Sequence, residues 1–137
     1  MEEKIKAVAV DANVFVALFN RDDALHQRAI RLWQEFQREP IVLYTSDLIV
    51  SEVLTVLRLK VGREAALRFG EIVFGSSVVL RLVYADRELT RLAYEIFSAV
   101  PVKDLSFADA MLIAMAKTFR AEVATFDKKL RNAARRY

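Results

Sequence analysis

Val8-Ala9-Val10-Asp11-Ala12-Asn13 is the stretch from which the fold is read. Residues 7–10 form a short apolar run in which nothing alternates with a polar residue and two side chains are β-branched. That pattern describes a strand buried on both faces, as in a parallel sheet covered by helices. The run stops at a carboxylate, so Asp11 stands at a strand's carboxyl end. In open parallel sheets that edge is where ligand crevices form, because the connections into the following helices leave side chains pointing into a shared cleft.

The same rhythm continues outward. Residues 14–19 read as a short apolar helix, and Asp22 or Asp23 is placed to cap a second helix with Leu25, Ala29, Leu32, Trp33 and Phe36 on one stripe. Pro40 separates it from a second apolar run at 41–44. Ser46 or Asp47 then starts a helix carrying Leu48, Ile49, Val53, Val56 and Leu57, which Gly62 can close. Residues 63–74 read as a further helix, 78–83 as a strand, and Asp86 as the cap of a helix bearing Leu89, Leu92, Ala93, Ile96 and Phe97. Ser106-Phe107-Ala108-Asp109 precedes the almost wholly apolar helix 110–116, and the strand 122–126 stops at Asp127. With no hairpin signal such as Asn-Gly, this alternation predicts a three-layer α/β/α domain around a parallel sheet.

At 137 residues the chain suits a single domain, 1–137. Hydrophobic residues make up 55% of it, yet no apolar stretch approaches the ~18 residues of a membrane span. Met1-Glu2-Glu3-Lys4 lacks the basic start of a secretory signal and there is no cysteine, so a cytoplasmic location is expected. The net charge of +3 is unevenly spread. From Lys117 onward seven Lys and Arg face two acids, whereas the preceding residues carry fourteen against sixteen. A basic end suits phosphate contacts, and equally a solvated terminal helix face.

Four acids have surroundings unlike those of ordinary surface charges. Asp11 and Asp127 follow buried strands, Asp109 opens an apolar helix, and Glu52 lies mid-helix with Leu48, Ile49, Thr55 and Val56 at helical spacing. Each also has a structural explanation. Ser106 and Asp109 can form a capping box, Asp127 can cap the final helix, Asp11 the first, and Arg58 or Arg81 can pair with Glu52. Taken together they can converge on one cleft. Two carboxylates ~4 to 5 Å apart repel by roughly 3 to 4 kcal/mol at an effective dielectric near 20, so such a cluster calls for cations. Oxygen ligands without Cys point to Mg²⁺ or Mn²⁺ rather than zinc. His26, the only histidine, reads as a surface or packing residue, which excludes Ser-His-Asp and Cys-His chemistry.

Val-Asp-Ala-Asn-Val at 10–14, Ser-Glu-Val-Leu at 51–54, Leu-Ser-Phe-Ala-Asp-Ala at 105–110 and Thr-Phe-Asp at 125–127 resemble the four acidic motifs of PIN-domain nucleases. In order and spacing they are most similar to the VapC-like ribonuclease toxins of VapBC toxin-antitoxin pairs. The resemblance implies a sheet of four or five parallel strands and a metal-dependent endoribonuclease. Asp11 and Asp109 would be the principal Mg²⁺ ligands, and Glu52 and Asp127 would serve a second metal or a second layer of contacts. Asn13, Ser106 and Thr125 would be supporting polar groups. It also implies a homodimer and a VapB-like antitoxin covering the acidic pocket. A basic rim including Lys128, Lys129 and Arg131 would hold RNA phosphates. Helix 63–74, with Phe69, Val73 and Phe74, is expected to supply apolar surface for the dimer. Two other readings stand beside this one. One is a PIN-fold RNA-binding or interaction module without activity. The other is a phosphatase with Asp11 as nucleophile, which Asn13 disfavours because such enzymes carry a second Asp there.

Overall fold

The computed structural model describes residues 5–75 and 80–137. Strand β1 (Lys6–Val10) lies inside a parallel sheet of order β3-β2-β1-β4, with β2 (Ile41–Ser46), β3 (Leu80–Val83) and β4 (Glu122–Ala124). Ala9 pairs with Tyr44 on one side and Val123 on the other. Val8, Ala9 and Val10 are buried, as their unbroken apolar run requires. The expected strand at 78–83 is present from Leu80; residues 78 and 79 lie outside the described part.

The chain moves outward from β1 through β2 to β3 and then returns to the opposite side of β1 for β4. The order therefore reverses between β1 and β4, and a crevice opens at such a switch point beyond the strands' carboxyl ends. Asp11 and the segment after β4 flank that crevice. The predicted α/β/α layering is observed, with four strands among the described residues.

Helices α1 (Ala12–Phe19), α2 (His26–Arg38), α3 (Asp47–Lys60) and α4 (Arg63–Phe74) pack together around Phe15, whose ring centroid is 5.0 Å from that of Phe69 and 6.4 Å from that of Trp33. α5 (Arg87–Ala99) packs on α6 (Phe107–Phe119), which contacts β1, β2 and β4, and α7 (Lys128–Arg136) closes over α6 and β4. Residues 110–115 of α6 are all buried, which explains why this helix is apolar on every side.

Several local expectations change. Asp23 does not cap α2 directly: its Oδ1 accepts from Leu25 N in the preceding turn, and the helix begins at His26 without a side-chain cap. His26 instead fastens that turn through Nδ1, 2.7 Å from the Ala17 carbonyl. Gly62 does terminate the α3 region, at a φ of 144° that disfavours any other residue. The expectation that α4 exposes Phe69 and Val73 is overturned, since both are buried against neighbouring helices, while Phe74 is 62% exposed. Strand β4 ends at Ala124 rather than residue 126, because the backbone beyond it is drawn off into side-chain hydrogen bonds.

Candidate active site

Asp11 is 7% exposed. Its Oδ1 accepts from Ala12 N at 2.7 Å, making it the N-cap of α1, and its Oδ2 accepts from the Thr125 hydroxyl at 2.7 Å. Thr125 in turn accepts from Asn13 Nδ2 at 3.1 Å and Asp127 N at 3.0 Å. One donor and two acceptor positions exhaust a hydroxyl's capacity, so Thr125 can only present its proton to Asp11. Asn13 Oδ1 closes the ring by accepting from Phe126 N at 3.2 Å. These bonds tie the end of β1 to the turn after β4 and account for the early end of that strand.

Burial pushes the Asp11 carboxyl up, from 3.8 to about 6. The Thr125 and Ala12 hydrogen bonds oppose the rise, while the charges of Asp109 and Glu52 add to it. Desolvation also raises Glu52, with Asp109 contributing repulsion. The charges of Asp109 and Glu52 thus both act on Asp11, and that of Asp109 on Glu52. Glu52, however, is exposed rather than enclosed by its apolar neighbours, and neither Arg58 nor Arg81 pairs with it.

The structural explanations for Asp109 and Asp127 hold as well. Ser106 and Asp109 form a complete capping box, with both reciprocal bonds at 3.0 Å. Asp127 Oδ1 caps α7 by accepting from Lys129 N and Leu130 N. Capping engages one oxygen of each carboxylate, leaving Asp109 Oδ1 and Asp127 Oδ2 outside the cap bonds. Both residues line a cavity of about 320 Å³ with Asp104, Lys128 and Lys129. Lys129 Nζ lies 3.9 Å from Asp104 Oδ2, both side chains being largely exposed.

Arg131 points elsewhere. Its Nη2 donates to the Thr125 carbonyl oxygen at 2.8 Å, and it lines the groove beside β4 rather than the cavity of Asp109 and Asp127. The sequence offered Thr125 only as a supporting group, whereas it is the junction of Asp11, Asn13 and Asp127; the juxtaposition of the 10–14 and 125–127 motifs was the available signal. Among the described residues no three acidic or histidine side chains form a ready-made cage for a metal. The oxygen-only donors of Asp11, Glu52 and Asp109 nevertheless fit a hard divalent cation, because none of them has a cationic partner among the described residues.

The PIN-domain family profile matches residues 8–136. The chain belongs to the PIN-domain family. Across 108 residues, 79% of either chain, this PIN domain is 32% identical to the 23S rRNA-specific endonuclease VapC20 of Mycobacterium tuberculosis. It is 27% identical over 125 residues to a VapC ribonuclease of Archaeoglobus fulgidus, covering 90% of this chain and 78% of the relative. The crystal structure of VapC20, described as a sarcin-ricin loop cleaving toxin, superposes with a TM-score of 0.81 at 28% identity, covering 92% of this PIN domain and 94% of VapC20. FitAcB from Neisseria gonorrhoeae shares the fold at a TM-score of 0.68 and 20% identity, over 93% of both chains.

Proposed function

We propose that this PIN domain is a metal-dependent endoribonuclease and the toxin of a type II toxin-antitoxin pair. The observation that carries the reading is the buried Asp11 carboxylate at the switch point, whose charge those of Asp109 and Glu52 oppose and which has no cationic partner among the described residues. The VapC relatives, named as ribonucleases, support RNA as the substrate.

In this reading Asp11 and Asp109 hold Mg²⁺ or Mn²⁺, with Glu52 and Asp127 at the rim of the same cleft. The ion's contribution when bound is to activate water and neutralise charge on the scissile phosphate. Thr125 and Ala12 fix the direction in which Asp11 presents its free lone pairs, and Asn13 fixes Thr125. Burial favours the exchange of a proton for a cation at Asp11, because a lone charge there is costly. Since water is the nucleophile, the ribose 2′-hydroxyl is not required.

The FitAB and VapBC2 structures that share this fold are complexes on DNA, which supports a VapB-like antitoxin as partner. A two-fold dimer draws support from exposed apolar residues such as Leu59, Phe74, Tyr84 and Tyr94. Sedimentation as a monomer at micromolar concentration would remove the dimer from this proposal.

The decisive experiment uses protein freed of any antitoxin. It should cleave single-stranded or looped RNA with Mg²⁺ or Mn²⁺, leaving 5′-phosphate and 3′-hydroxyl ends. A chelator or Asp109→Asn should abolish cleavage. Cyclic 2′,3′-phosphate ends would show attack by the ribose and overturn the mechanism. RNA binding without cleavage under all metal conditions would favour the inactive module, for which the four acids otherwise offer no reason.

A further inference from the structure

A second concavity adjoins the acidic cleft. It is a groove of about 690 Å³ between α2 and β4, larger than the cavity holding Asp109 and Asp127, and Thr125 belongs to its wall as well as to the Asp11 network. We propose that this groove is a phosphate-binding track for the RNA strand flanking the scissile bond, gripped by Arg28, Arg31 and Arg131. The proposal rests on the ribonuclease reading above and names where its substrate runs.

The chain's path gives the groove a polarity. The segment after α2 returns to Ile41, which pairs with Lys6 at the start of β1, so the carboxyl end of α2 lies at the amino-terminal edge of the sheet. The beginning of α2 must therefore lie towards the carboxyl edge, where Asp11 and Thr125 stand. Arg28 and Arg31 are in that first part of α2, one helical turn apart and about 4.5 Å along its axis. Glu35 and Glu39 line the far end, where Lys6 is engaged by Glu122 at 3.3 Å. The end next to the catalytic edge thus carries arginines without acids, whereas the far end, which Arg38 also lines, mixes both signs.

These arginines are also ready for a ligand. Among the described residues none of the three pairs with a carboxylate. Arg28 and Arg31 are exposed, and the Arg28 guanidinium carbon sits 5.0 Å from the centroid of Phe126, a stack that orients the guanidinium and leaves its edges to donate. Arg131 spends one donor on the Thr125 carbonyl, which holds its charge beside the turn joining groove and cleft. A strand leaving an acidic pocket needs a route where its phosphates are attracted, and this is the route that shares a residue with the pocket. An acidic peptide has the same charge but no comparable reason to begin at Thr125.

The test measures binding in an Asp11→Asn background, so that RNA stays intact. Arg28→Ala combined with Arg31→Ala should weaken an oligoribonucleotide about tenfold and lower the slope of log affinity against log salt by about 1.4, near 0.7 for each lost contact to a single strand. A dinucleotide, too short to pass Thr125, should bind as before. In the active protein the same pair should raise KM for long RNA and leave kcat unchanged, and Arg63→Ala on α4 should change neither. Unaltered affinity and salt slope alongside normal cleavage would overturn the track while leaving the nuclease reading intact. Loss of binding to poly-glutamate with RNA binding unchanged would assign the groove to a protein and also overturn it. Absence of both cleavage and RNA binding in the parent protein would overturn both readings.

Discussion

The Thr125 hydroxyl donates to Asp11 Oδ2 at 2.7 Å, joining two residues 114 positions apart across the β1–β4 crevice. Because Asn13 and Asp127 N occupy the hydroxyl's acceptor sites, the proton has no other direction. The bond favours the ionised carboxylate and works against the burial that raises it.

Replacing Thr125 by Val should therefore push Asp11 above its value of about 6. A hydrogen bond to a charged group is worth about 1.5 to 3 kcal/mol, so RNA cleavage at pH 6 to 7 should fall roughly tenfold or more and recover in part at higher pH. Thr125→Ser keeps the hydroxyl and should keep the profile. A pH–rate profile checks this: an acidic limb in the Val variant that overlays the parent's would show that the bond does not control Asp11.

Stability should carry the same signature with the opposite sign. The folded-state value of about 6 lies above the ordinary 3.8, so the folded protein takes up the proton first as pH falls. The cost of the buried charge is thus complete above about pH 6 and disappears towards pH 4. Its ceiling is about 3 kcal/mol by linkage, and an amide that accepts one bond fewer should recover about 1 to 2 kcal/mol. Asp11→Asn should melt above the parent at pH 8 and converge with it near pH 4. Mg²⁺ should raise the parent's melting temperature and largely spare the variant. A gap that stays constant between pH 4 and 8, or equal stabilisation of both proteins by Mg²⁺, would contradict this account.

Much of this site was legible because its residues announce themselves locally. A carboxylate ending an apolar run, as at Asp11, or opening an apolar helix, as at Asp109, conflicts with its surroundings in any fold that buries the run. Glu52 shows the limit of that logic. It stands about 100° around α3 from Val53, at the flank of the buried arc of Ile49, Val50, Val53 and Leu57, so apolar neighbours at helical spacing do not enclose it. Phe69 and Val73 erred the other way: with Ala65 and Ala66 they form one buried stripe of α4, and the rings of Phe15 and Phe19 on α1 cover Phe69. Arg28 and Arg31 carry no signal in the sequence, because only the packing of α2 beside β4 makes a groove of them.

Thr45 yields a prediction independent of function. Its hydroxyl is fully buried and has no hydrogen-bond partner among the described residues. Valine has almost the same shape without the orphaned polar group, so Thr45→Val should raise stability by about 1 kcal/mol and leave cleavage unchanged. Chemical denaturation decides the matter. A loss of stability would mean that the hydroxyl is satisfied, for example by a buried water.

Asp127 offers the sharpest separation of structural from chemical roles, because it demonstrably has one and is proposed to have the other. Its Oδ1 caps α7 through Lys129 N and Leu130 N, and its charge borders the cavity lined by Asp109. Asparagine caps helices about as well as aspartate, whereas alanine does not and typically costs about 1 kcal/mol. Asp127→Asn should keep the parent's melting temperature and yet lose about tenfold or more in RNA cleavage, the low end of what a positioned catalytic group contributes. Asp127→Ala should lose both stability and activity. Full activity in the Asn variant would reduce Asp127 to a helix cap and leave the acidic cleft with Asp11, Glu52 and Asp109.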